Sequence, residues 1–151
     1  MNWAGAISGK NFTIQGNILA NENVISEMAK SFIQSNGKAP LAQRLISALK
    51  AGQLAGGDKR GRQAAGIIIH MGQDYPWIDL RVDDHADPLT ELRRLVDVSK
   101  ERFVHFSKGM ATKENFSGVS DRSPIDKAIK DAEVQRNVRG LRTKSFASPV
   151  N

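Results

Sequence analysis

A change of hydrophobic period near the middle of the chain limits its folds most. Val24, Ile25, Met28, Phe32 and Ile33 recur at helical spacing up to Gln34, and Asn36-Gly37 ends the run. Asn21 is placed to cap this helix. A second helix is expected from about Pro40, with Leu41, Leu45, Ile46 and Leu49 on one stripe. The next stretch holds Gly52, Gly56, Gly57 and Gly61 and no helical pattern survives it. Beyond it, 63–71 contains Ile67-Ile68-Ile69 and reads as a buried strand, 72–76 as a turn, and 77–82 as a strand. In that strand Ile78, Leu80 and Val82 alternate with Trp77, Asp79 and Arg81. The pair 63–71 and 77–82 reads as an antiparallel hairpin.

The flanking regions extend this pattern. Phe12 and Ile14 alternate with Thr13 and Gln15, so 11–20 reads as a strand, with Gly16-Asn17 as a bulge or turn. Asp87-Pro88 starts a third helix marked by Leu89, Leu92, Leu95 and Val96, expected to run on to Phe106. Gly109 to Gly118 reads as a loose polar loop, and Ser123-Pro124 as the start of a short helix near 124–135. From Arg136 onward no periodicity is visible.

Composition removes several classes of function. There is no Cys, hence no disulfide, thiolate metal site or thiol nucleophile. The longest apolar run is Ile67–Ile69, far short of a membrane span, and no signal peptide opens the chain, so a cytoplasmic location is expected. Residues 1–95 carry 11 basic and 9 acidic side chains, and residues 96–151 carry 11 and 7, so the basic excess lies mainly in the tail. That tail mixes both signs, and Trp3, Tyr75 and Trp77 are too scattered to stack bases, so nucleic acid is a disfavoured partner. No His-x-x-His, His-Glu-x-x-His or Gly-x-Ser-x-Gly spacing occurs. Neither a metal nor another cofactor is expected.

The segment Gly56-Gly57-Asp58-Lys59-Arg60-Gly61-Arg62-Gln63 carries the most chemistry. Glycines let the backbone approach a ligand, and Lys59, Arg60 and Arg62 can hold a carboxylate or phosphate. It lacks the Gly-Lys-Ser/Thr of a phosphate loop and precedes a strand rather than a helix. The same residues also make a solvated charged turn, and the residues alone leave both readings open. Arg62 is expected to be the most buried of the three cations and to pair with Asp83 or Asp84, leaving Lys59 or Arg60 for a ligand. Asp83, Asp84 and His85 are secondary candidates, set against plain capping by Asp87. Asn17 is an amide that can polarise a carbonyl or serve as a turn residue.

Four strings occur in order: Trp3-Ala4-Gly5; Gln15-Gly16-Asn17-Ile18-Leu19-Ala20; the segment 56–63; and Leu80-Arg81-Val82-Asp83-Asp84-His85-Ala86-Asp87-Pro88 with Glu91-Leu92-Arg93-Arg94-Leu95. Over residues 3–98 they resemble the C-terminal half of the domain-of-unknown-function family ten-twenty-eight. The resemblance implies an α+β fold with mostly antiparallel strands, a partial Ntn-hydrolase-like α-β-β-α sandwich at 1–108; the charge balance and fading periodicity set 109–151 apart as a basic, largely irregular extension. Ntn hydrolases cleave amide bonds with an N-terminal Thr, Ser or Cys whose free amino group is the base, and main-chain donors hold the oxyanion.

This chain begins Met1-Asn2, and Ser8 and Thr13 would become N-terminal only after cleavage. The resemblance therefore implies an inactive half whose N-terminal half is missing. Asp58, Lys59, Arg60, Arg62 and Asn17 would contact an anionic small molecule. The alternative is a non-catalytic binding or assembly module that pairs through exposed strands, with a second copy or the missing half as partner and no membrane involved.

Overall fold

The computed structural model describes residues 2–147. Its elements are β1 (Trp3–Gly9), β2 (Phe12–Leu19), α1 (Asn23–Gln34), α2 (Leu41–Leu54), β3 (Ala65–Ile69), β4 (Ile78–Val82), α3 (Pro88–Ser99), α4 (Phe103–Phe106) and α5 (Ser123–Val138). The α+β class with short antiparallel strand pairs is as expected. Backbone contacts group the chain into two units, one of residues up to Ile67 with Arg81–Arg93, the other of Ile68–Leu80 with the residues from Arg94 onward.

In the first unit, β1 and β2 form an antiparallel hairpin in which Gly9 faces Phe12, Ile7 faces Ile14 and Gly5 faces Gly16. The strand continues through Gly16 and Asn17, so no turn forms there. The sequence places no strand at Trp3–Gly9, because its glycines and small residues blur the alternation. Trp3, Ile7 and Ile14 pack on a core of Leu19, Val24 and Ile25, joined by Met28 and Ala55. Asn21 caps α1: its Oδ1 accepts the Asn23 N–H at 2.9 Å, while its Nδ2 donates to the Ala55 carbonyl at 3.2 Å.

The buried face of α2 differs from the expected leucine stripe. Ala42, Ile46, Ala48 and Gly52 are buried, whereas Leu41 is 43% exposed. Side-chain size decides this: a Cβ on Gly52 would lie 2.6 Å from Met28 Cγ and 3.3 Å from the Val24 carbonyl oxygen. Small residues let the two helices approach where leucines would hold them apart. Arg44 closes the far end of α1, donating to the Phe32 carbonyl at 3.2 Å with its guanidinium 4.3 Å from the Phe32 ring centroid.

The strand expected at 63–71 is shorter and one-sided. Ile67 and Ile69 are buried but Ile68 is 54% exposed, so β3 alternates like β4, its partner in a second two-stranded sheet. The helix from Pro88 ends at Ser99 instead of reaching Phe106. Arg102, at φ −139° and ψ −51°, departs from helical geometry in the turn there, and α4 starts afresh after it.

In the second unit the segment read as loose is held by side chains from the hairpin tip. Tyr75 donates to the Ala111 carbonyl at 2.7 Å, Gln73 Oε1 accepts the Lys113 N–H at 3.0 Å, and Lys113 Nζ lies 2.9 Å from Asp74. The residues after α5 are pinned as well. Glu101 accepts from Thr143 Oγ1 and the Lys144 N–H, both at 2.6 Å, and Arg94 lies 4.0 Å from the Phe146 ring centroid. No helix among the described residues is long and apolar enough to cross a membrane.

Candidate functional site

The chemistry-bearing loop is built onto the end of β2. Between the pairs Gly5–Gly16 and Trp3–Leu19, β2 has one residue more than β1, which makes a bulge. Ile18, within it, has φ +54°, a left-handed conformation that costs a β-branched residue about 1–2 kcal/mol. After this bend β2 pairs with the loop instead. The Ile18 carbonyl accepts the Lys59 N–H at 3.0 Å, the Ala20 N–H donates to the Gly57 carbonyl at 3.0 Å, and Leu19 bridges Asp58. Gly56 (φ +126°) and Gly57 (φ +60°) make the loop possible, and a Cβ on Gly56 would lie 2.7 Å from Ala20 Cβ.

Within the loop Asp58 organises the residues on its C-terminal side. Its Oδ1 accepts the Arg60 N–H at 2.8 Å and Arg60 Nε at 3.0 Å, and its Oδ2 accepts Arg60 Nη2 at 2.6 Å. The Arg60 guanidinium, helped by the backbone N–H, holds the Asp58 carboxyl down at about 2. The expected roles of the two arginines are thus exchanged. Arg60 takes the acid, its neighbour two residues away, while Arg62 is exposed. Asp84 accepts from Gln63 Nε2 at 3.2 Å instead of pairing with Arg62.

A second group gathers at the start of α3. Asp87 accepts the Thr90 hydroxyl at 2.8 Å and the Thr90 N–H at 3.4 Å. The Thr90 hydroxyl lowers the Asp87 carboxyl most, with the Thr90 N–H and the charges of Arg62 and Lys50 adding to it. His85 Nδ1 accepts the Asp87 N–H at 2.9 Å, which places a neutral ring's proton on Nε2, and the His85 N–H donates to the Gln63 carbonyl at 3.0 Å. Asp87 therefore performs the capping role, and Asp83, Asp84 and His85 are exposed. No group of three or more His, Asp or Glu among the described residues is placed to hold a metal ion.

Asn17, Lys59, Arg60 and Arg62 all have exposed side chains, and Asp58 is half-buried. Of this set, Asp58 and Arg60 touch each other through their side chains. Backbone pairing joins the loop to β2 one residue beyond Asn17. Two residues escaped sequence reasoning. Ile18 carried no signal, because an isoleucine does not announce a left-handed backbone. Lys50 looked like an ordinary exposed helix residue, and only the fold places its charge near Asp87.

The order and spacing of these elements define a family. The chain belongs to the family of unknown function DUF1028, whose model matches residues 1–92. The fold is similar to the crystal structure of a DUF1028 protein from Silicibacter pomeroyi, with a TM-score of 0.67 at 21% identity, covering 78% of this chain and 52% of that one. The chain thus spans about half the length of that protein. No curated protein matches it.

Proposed function

We propose that this chain is the ligand-holding C-terminal half of an Ntn-hydrolase-like amidase and does not cleave amides by itself. The backbone ladder that fastens the 56–61 loop to the strained end of β2 carries the reading. A solvated turn has no need of a left-handed isoleucine, and strain of this kind gathers at functional sites. The ligand is a small molecule with a carboxylate or phosphate. Arg62 meets it, with Lys59 and the outer edge of the Arg60 fork beside it, while Asp58 keeps Arg60 preorganised. Asn17 supplies an amide donor at the strand end. The absence of Cys leaves no thiol nucleophile in the sequence, and coverage of about half of the Silicibacter pomeroyi protein supports the reading as a half.

Calorimetric titration with inorganic phosphate and with glutarate tests this. Arg62→Ala should weaken binding by about tenfold, the value of one charge-assisted contact, and leave the melting temperature unchanged because the side chain is exposed. If neither probe binds the unaltered chain, the loop is a structural turn. Amide hydrolysis by the purified chain with its N-terminus intact would overturn the assignment as an inactive half.

A further inference from the structure

We propose that β1 is a docking edge for a second copy of this chain, pairing antiparallel with its twin about Ala6 to form a continuous β2–β1–β1–β2 sheet. This gives the assembly alternative a definite strand and register, and it stands independently of the anion site.

Folded proteins blunt strand edges with charge, proline or bulges. β1, Trp-Ala-Gly-Ala-Ile-Ser-Gly, has no charged residue and no proline, and the bulge of its hairpin lies on β2. Among the described residues no strand other than β2 pairs with it. β4 differs, carrying Asp79 and Arg81 with side chains outward.

Register defines how a second copy fits. A two-residue turn, Lys10-Asn11, closes the hairpin, so the flanking pair Gly9–Phe12 is of the hydrogen-bonded kind. Alternation then gives Ile7–Ile14 and Gly5–Gly16 the same kind, and leaves Ser8 and Ala6 with backbone N–H and C=O groups facing away from β2. Continuing along β1, Ala4 faces outward too. A twin strand centred on Ala6 satisfies all three: Ala6 with Ala6, Ala4 with Ser8 and Ser8 with Ala4. On the inner face Trp3 then opposes Gly9 and Gly5 opposes Ile7; within each copy the Trp3 ring lies over Gly5 and the Phe12 ring over Gly9, so the apolar contacts of the twin strands there are made by these rings and Ile7. On the outer face only Ala4, Ala6 and Ser8 appear, all exposed in one copy and too small to clash. No like charges confront each other, since Lys10 lies beyond the strand end opposite Asn2.

Sedimentation equilibrium of the full chain should show a dimer. Ala6→Pro removes an N–H that serves only the twin, so it should weaken the dimer by at least about tenfold while helical circular dichroism and phosphate binding persist. Ala6→Lys checks the register without touching the backbone. It sets two ammonium groups side by side, so it should yield a monomer that high salt returns toward dimer. An equimolar mixture of Ala6→Lys and Ala6→Glu should pair as well as the unaltered chain. A monomeric unaltered chain overturns the proposal. So does a dimer that both Ala6→Pro and Ala6→Lys leave intact, which would place the interface elsewhere.

Discussion

Two glycine-bearing loops, 56–61 and 109–118, keep their shapes by different means. The first is held by its own backbone: left-handed glycines, an Asp58–Arg60 clasp two residues long, and main-chain bonds to β2. The second has bonds of its own, between Thr112 and Asn115, from Asn115 Nδ2 to the Gly118 carbonyl and from the Val119 N–H to the Gly109 carbonyl, and its outside ties are the side chains of Gln73, Asp74 and Tyr75. The local part of each loop, its glycines and short-range bonds, shows itself in residue types. The distant ties, main-chain to β2 for 56–61 and side-chain to the hairpin tip for 109–118, do not.

The strongest break of this contrast comes at the glycines. Gly56→Ala should cost about 3 kcal/mol, since φ is +126° and the new Cβ would meet Ala20 Cβ at 2.7 Å, a rigid neighbour. Gly61→Ala, at φ +102° with nothing within 4 Å, should cost only about 1 kcal/mol. Chemical denaturation of both variants measures the gap, and equal losses would show that space near Ala20 does not matter.

A smaller effect sharpens the other side. Tyr75→Phe removes the bond to the Ala111 carbonyl and should cost about 1 kcal/mol. Amide exchange should then speed up around 111–119 and stay unchanged in 56–61. Faster exchange in both loops would mean that they are not held independently.

The smallest effect is one of pH. Asp58 titrates lower in the folded chain than its ordinary 3.8, so its contribution to stability is full above that value and fades as pH falls toward 2. Thermal melts from pH 5 to 2 should therefore fall less steeply for Asp58→Asn than for the unaltered chain. Because the pair is largely exposed, the difference is slight and shrinks further in high salt.

Much of the secondary structure is legible without the tertiary fold. The Val24–Ile33 helix, its Asn21 cap, the alternation in β4 and the Asp87-Pro88 helix start are each written in residues within one or two turns of each other. The misreadings share one cause, a choice of partner by residue type alone. Charge matches Arg62 to Asp83 or Asp84, but Arg60 reaches Asp58 through a two-residue loop with little entropy to lose. Hydrophobicity favours the leucine stripe of α2, where close packing against Met28 demands small residues. Of the candidate site, the loop and its glycines are visible in the sequence, but not its seat on Ile18.

By itself the sequence determined the periods, caps and turns, because these depend on steric and hydrogen-bonding preferences within a few residues. It also determined the family, through four strings in fixed order. Tertiary structure alone decided the left-handed Ile18, the pinning of 109–118 by the hairpin tip and the hold of Glu101 on Thr143 and Lys144. Those features join groups far apart in the chain, and residue type says nothing of which distant partner will arrive once the loops between them have closed.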